Sequence, residues 1–192
     1  MIRSLLSQSR SVFRIVVFIG LAGFSAWAAD TAPAVEDVRN FGVVNEHLFR
    51  GAAPTVVGLS ELSAAGVKLV IDLREAGAAT EVEKRQAEKL GMKYTNIPLA
   101  PMSAPTAAQM RLVLNLLAQN QAQRVFVHCR RGKDRTGTVI ACYRIQHDGW
   151  GNERALQEAK GFGMSPLEAG MRSFVMSFTP MVGMGEMAGA GR

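Results

Sequence analysis

The sequence predicts an α/β fold: one domain with a central, mostly parallel sheet flanked by helices. Strand-length apolar runs alternate with amphipathic helical patterns, the order that builds parallel sheets. One run, "VKLVIDL" at residues 67–73, is nearly continuous and suits a strand covered on both faces. A second, "RVFVH" at residues 124–128, leads into a basic, glycine-containing loop and then the apolar segment "TGTVIACYRIQ". A helix that is apolar all round is a buried one. In sheets of this kind the ligand sits at the carboxyl ends of the strands, where that loop falls.

In chain order, "FGVVNEHLFRG" reads as two short strands around a turn at Asn45-Glu46. "TVVGLSELSAAG" reads as a helix with Thr55 as its cap and Gly66 past its end. The charged segment "TEVEKRQAEKL" is expected to form a helix with a solvated face, started by a Thr80/Glu83 capping box and stopped at Gly91. "MKYTNIPL" is a strand, and "TAAQMRLVLNLLAQ" a helix capped by Thr106 and Gln109, with Met110, Val113, Leu114 and Leu117 as its core stripe. "NERALQEAK" is a further helix. In "SPLEAGMRSFVMSF", Ser165 is expected as cap, Pro166 at the first helical position and Glu168 as the closing member of a box.

The ends have a different composition. Residues 1–28 carry Arg3, Arg10 and Arg14, the apolar run "IVVFIGLAGF", and small residues at Ala26 and Ala28. This is the pattern of an export signal, too short an apolar run for a spanning helix, and it implies a periplasmic or secreted protein. Residues 29–40 read as a flexible lead, 41–178 as the domain, and the Gly/Met-rich residues 179–192 as a disordered tail. Without the first 28 residues, 19 basic residues face 16 acidic ones, too mild an excess to point to nucleic acid. The two cysteines, Cys129 and Cys142, are expected as free thiols, Cys142 inside a buried helix. His47 and His147 are isolated, no group of His, Cys and acids has metal-ligand spacing, and no metal or cofactor is expected.

The residual basic character is concentrated in "VFVHCRRGKDRTG", residues 125–137. Taken singly, a cysteine ending a strand is usually a small buried hydrophobe, and loop cations are usually solvated. Together, at this spacing, they describe a receptor for a dianion. A helix N-terminus offers unpaired N–H groups and a positive dipole end. Gly132 and Gly137 allow tight curvature, and the Arg135 guanidinium can grip two phosphoryl oxygens. The same field favours a thiolate at Cys129, which makes the sulfur a nucleophile aimed at phosphorus.

"HCRRGKDRTG" resembles the signature of the cysteine-dependent protein tyrosine and dual-specificity phosphatases: His-Cys, five residues, Arg, Thr and Gly. "NFGVVNEHLFRGAAP" and "VKLVIDLR" are similar to the opening strands of the compact atypical dual-specificity subgroup. The resemblance implies a phosphate monoesterase in which Cys129 forms a phosphocysteine and Arg135 binds substrate and stabilises the transition state. It implies that Thr136 hydrogen-bonds the sulfur, that His128 orients the loop, and that Arg50 lies near the site. Arg130, Arg131, Gly132, Lys133 and Asp134 complete the substrate-binding loop. The implied substrate is a phosphorylated protein, a polyphosphorylated small molecule or a lipid headgroup. Two other readings stay open, a catalytically inactive phosphate-binding module of the same fold and a rhodanese-type sulfur-transfer protein. One departure matters: the segment where such phosphatases carry an acidic Asp is "NIPLAPMSAPT", without any acid. Asp134 is therefore the candidate general acid, with Glu75 or the substrate itself next in line.

Overall fold

A computed structural model describes residues 35–182. The segment expected to direct export, residues 29–34 of the lead and residues 183–192 of the tail lie outside the described residues. Among the described residues, no helix is long and apolar enough to cross a membrane.

The sheet has five strands: β1 (Gly42–Val43), β2 (Leu48–Ala52), β3 (Val67–Asp72), β4 (Lys93–Asn96) and β5 (Arg124–Cys129). Their order is β1-β2-β5-β3-β4; only β1, hairpin partner of β2, is antiparallel. The hairpin turn is closed by Asn45, whose Oδ1 accepts from the N–H groups of His47 and Leu48. β5 is central, with Ala52 of β2 opposite Cys129 and Asp72 of β3 opposite His128.

Strand side chains alternate between two cores. Val125, Val127 and Cys129 point to the side of α3 (Ala107–Gln119) and α4 (Asp134–His147), with α5 (Asn152–Gly161) and α6 (Ala169–Ser177) behind them. Phe126, with Phe49 and Val70, packs on the other side against Leu59 and Leu62 of α1 (Val56–Ala64) and Ala87 of α2 (Ala78–Lys89). The predicted α3 stripe, Met110, Val113, Leu114 and Leu117, is buried as expected. α4 buries every residue from Thr136 to Tyr143, so a helix with little amphipathic pattern is the right one for the middle of a layer.

Three local expectations are corrected. α2 starts two residues before Thr80: the capping position is Gly77, and the Thr80 hydroxyl accepts from its N–H. Glu83 is therefore not a capping residue on a solvated face but buried. α6 starts at Ala169, so Ser165 opens a preceding turn, with the Glu168 N–H donating to its carbonyl, and Glu168 takes the capping position. The lead is packed from Val35 on: Val35 and Val38 are buried, and Glu61 accepts from the N–H groups of Glu36 and Asp37.

Candidate active site

The loop between β5 and α4 carries the predicted chemistry. Cys129 is the last residue of β5, Lys133 caps α4, and Asp134 and Arg135 form its first turn. The sequence folds this way because the chain must reverse from a buried strand into a buried helix over residues 130–133. Gly132 makes that possible, with φ at +69° and its α-carbon pressed against the backbone of β2. The Gly132 carbonyl accepts from Asn40 Nδ2 and from Arg50 Nη2, both at 2.8 Å. A trans peptide places C=O and the next N–H on opposite sides, so the Lys133 N–H points away from these donors.

Arg50 lies beneath the loop, 1 % exposed, with its guanidinium 3.9 Å from the centre of the Phe162 ring. Burial lowers its pKa to about 10, while the charges of Glu158 and Cys129 act the other way. It supports the loop from behind and does not line the cavity in front of it.

That cavity, roughly 580 Å³, is walled by Cys129, Arg130, Arg131, Asp134 and Arg135, by Glu168 and Met171, and by Arg39, Pro101 and Met102. Arg135 is fixed by its Nη1, which donates to the carbonyls of Leu73 (3.3 Å) and Leu99 (3.2 Å) at the carboxyl edges of neighbouring strands. Asp134 Oδ1 accepts from the Ser165 N–H at 2.8 Å, and Oδ2 faces Arg131 Nη2 at 3.4 Å. Lys133 turns aside, its Cε and Cδ close to Gly163, and does not form a wall. Thr136 is fully buried and its hydroxyl has no hydrogen-bond partner, so the bond to sulfur implied by the resemblance is not made. Both cysteines are free and buried; burial pushes the Cys142 thiol well up.

His128 faces the opposite side of β5, into a polar cluster the sequence did not reveal. Its Nε2 lies 2.8 Å from Glu83 Oε1 and its Nδ1 3.9 Å from Asp72 Oδ1. Arg74 Nη2 sits 2.6 Å from both Asp72 Oδ2 and Glu83 Oε2, and the Tyr94 hydroxyl donates to Asp72. Burial alone would raise Asp72, but hydrogen bonds from Arg74 and Tyr94 and the nearby His128 outweigh it and hold the carboxyl below its usual range. Asp72, Glu83 and His128 offer ligand atoms within 4.8 Å of one another, a convergence invisible in their sequence spacing. The Arg74 guanidinium, 2.6 Å from both carboxylates, supplies positive charge to this cluster at the end of β5.

Asn40, Arg39 and Glu168 around the loop and cavity, and Asp72, Arg74, Glu83 and Tyr94 in the cluster, are among the members sequence reasoning missed. Thr80, Glu83 and Ala87 do form a buried stripe at helical spacing, but a stripe containing a carboxylate does not read as apolar.

Comparisons with known proteins agree with this geometry. A family profile described as "DSP-PTPase phosphatase fused to NAD+ Kinase" matches residues 33–170. The dual specificity protein phosphatase TpbA of Pseudomonas aeruginosa is 31% identical over 178 residues, covering 84% of this chain and 76% of its own. The phosphatidylglycerophosphate phosphatase PTPMT2 of Arabidopsis thaliana is 31% identical over 107 residues, 54% of this chain and 46% of its own. The crystal structure of P. aeruginosa TpbA with phosphotyrosine superposes with a TM-score of 0.64 at 24% identity, covering 88% of this chain and 99% of that one. The catalytic core of the PP-IP phosphatase SIW14 from S. cerevisiae does so at 0.67 and 22%, covering 76% and 89%.

Proposed function

The chain belongs to the cysteine-dependent dual-specificity phosphatase family, and from that premise we propose that it hydrolyses phosphate monoesters through a phosphocysteine at Cys129. The observation that carries this reading is the shared cavity: the sulfur at the end of β5 and the guanidinium in the first turn of α4 open on one space. A phosphate dianion seated there meets the positive end of α4 and the edge of Arg135 not used by the Leu73 and Leu99 carbonyls. Sulfur attacks phosphorus, and the donors around the three equatorial oxygens stabilise the charge that develops. Water then releases phosphate.

The preferred substrate carries more than one anionic group. Arg39 and Arg130 both line the wall and are exposed, and the cavity is larger than one phosphate fills. Polyphosphorylated small molecules and anionic lipid headgroups both fit that chemistry. Among the relatives, one is named for phosphatidylglycerophosphate and one structure for a PP-IP substrate.

A phosphate-release panel of phosphotyrosine, phosphoserine, phosphoinositide and inositol polyphosphates tests the reading, with Cys129→Ser as its control. The variant is expected to lose turnover and keep phosphate affinity, because the N–H donors and Arg135 remain. Release by the Ser variant within about ten-fold of wild type contradicts the covalent route, since a hydroxyl ionises far less readily than a thiol. A folded wild type that releases phosphate from none of these, and traps no phosphoenzyme, is a binding module.

A further inference from the structure

Resting on the phosphatase reading, we propose that Glu168 is the general acid of the first step and the general base of the second. Among the described residues, two carboxyl groups line the cavity, Asp134 and Glu168. Asp134 is committed: both its oxygens serve as acceptors, for the Ser165 N–H and for Arg131. Glu75 is exposed and forms no part of the wall, and the loop after β4 contributes only Pro101 and Met102.

Glu168 is different. Its residue is 7 % exposed, and its Oε2 is buried without a hydrogen-bond partner. It occupies the capping position of α6, and its side chain makes no capping bond to the first N–H groups of the helix. Asp134 holds the segment in place, because its bond to the Ser165 N–H ties the turn carrying Glu168 to the head of α4.

The charges around Glu168 come from several elements. Asp134 and Arg135 act on it from α4 and Arg131 from the loop, and Arg39 of the segment before β1 lines the same cavity. Arg172, one turn along α6, donates through Nη1 to the Pro166 carbonyl. Burial raises the Glu168 pKa, Asp134 adds to the rise, and Arg131 and Arg135 oppose it without cancelling it. An incoming phosphate dianion pushes the same way, so the protonated acid is favoured as substrate binds.

In the first step the Cys129 S–P bond forms and the P–O bond to the leaving group breaks. The electron pair stays on the leaving oxygen, which takes the Glu168 proton and departs as a neutral alcohol or phenol. In the second step the Glu168 carboxylate removes a proton from water as it attacks phosphorus. The S–P bond breaks, its pair returns to sulfur, and phosphate leaves.

The test compares 4-nitrophenyl phosphate, whose leaving group departs unaided, with phenyl phosphate, whose leaving group needs a proton. Glu168→Gln is expected to lower kcat/KM for phenyl phosphate by about 100-fold or more, the scale of general acid catalysis. The loss on 4-nitrophenyl phosphate should stay within about five-fold of wild type. Wild-type activity on phenyl phosphate should fall as pH rises through the Glu168 pKa, and the Gln variant should lack that limb. Glu168→Asp, which restores a carboxyl on a shorter arm, should recover part of the lost rate and the limb. Equal losses on both substrates, or a limb that survives in Glu168→Gln, overturn the assignment while leaving the phosphatase reading intact. A wild type inactive on both substrates, with no phosphoenzyme, overturns that underlying reading and the assignment with it.

Discussion

Gly132→Ala asks the loop to accept one methyl group. A Cβ there would stand 2.4 Å from the Gly51 carbonyl carbon and 2.5 Å from both the Gly51 oxygen and the Ala52 nitrogen. All three are backbone atoms of β2, which is hydrogen-bonded on both sides and cannot rotate away. Ordinary contact begins near 3.4 Å, so the α-carbon must retreat by about 1 Å. The left-handed conformation at φ +69° adds roughly 1–2 kcal/mol for an alanine, and overpacking of this kind typically adds 1–3. The sum, about 2–5 kcal/mol, corresponds to a fall in Tm of roughly 5–15 °C for a domain of this size. A retreat of that size also stretches the two 2.8 Å bonds to the Gly132 carbonyl beyond hydrogen-bond reach. Misplacing a catalytic loop by about 1 Å costs on the order of 100-fold in rate. Thermal unfolding and kcat/KM on 4-nitrophenyl phosphate, with phosphate binding by calorimetry, measure the three consequences. A variant within about 2 °C and three-fold of wild type would refute the close approach of loop and β2 described above.

Asp134→Ala removes the acceptor for a part-buried N–H, and a loss of about 1–3 kcal/mol is expected in denaturant unfolding. Its kinetic loss should be greater on phenyl than on 4-nitrophenyl phosphate, because the turn carrying Glu168 loses its tie to α4, and this selectivity should disappear in a Glu168→Gln background; a selective loss that persists there would return the acid role to Asp134. The double variant Arg39→Ala, Arg130→Ala should lower kcat/KM for inositol polyphosphates much more than for 4-nitrophenyl phosphate, and flatten its dependence on ionic strength. Unchanged selectivity would mean that these exposed arginines do not meet substrate.

Much of this was legible because it depends on near neighbours in sequence. The Thr106/Gln109 box, the α3 stripe, the hairpin at Asn45-Glu46 and the nucleophile loop are patterns within a few residues. The support of that loop was not legible, because its parts come together only through the sheet. Asn40 and Arg50 reach Gly132 across 92 and 82 positions of chain. Glu83 and Glu168 failed for a related reason. Each sits near a helix start, where local chemistry predicts a solvated or capping carboxylate, and tertiary packing turns each inward instead. Arg50 was placed near the site by the resemblance, but its position beneath the loop required the packing of Phe162.

The two donors on the Gly132 carbonyl also determine how many shapes the empty loop can take. Turning the peptide between residues 132 and 133 over would leave the buried Arg50 Nη2 without that acceptor and Asn40 Nδ2 with only the Phe162 carbonyl, and a buried charged donor without a partner costs about 3 kcal/mol. At about 3 kcal/mol, the flipped form would make up under about one molecule in a hundred. The anion seat is then rigid before any ligand arrives, and it grips every phosphate ester alike. Discrimination between substrates must fall to the rim, where Arg39, Arg130 and Met102 can change without disturbing the seat.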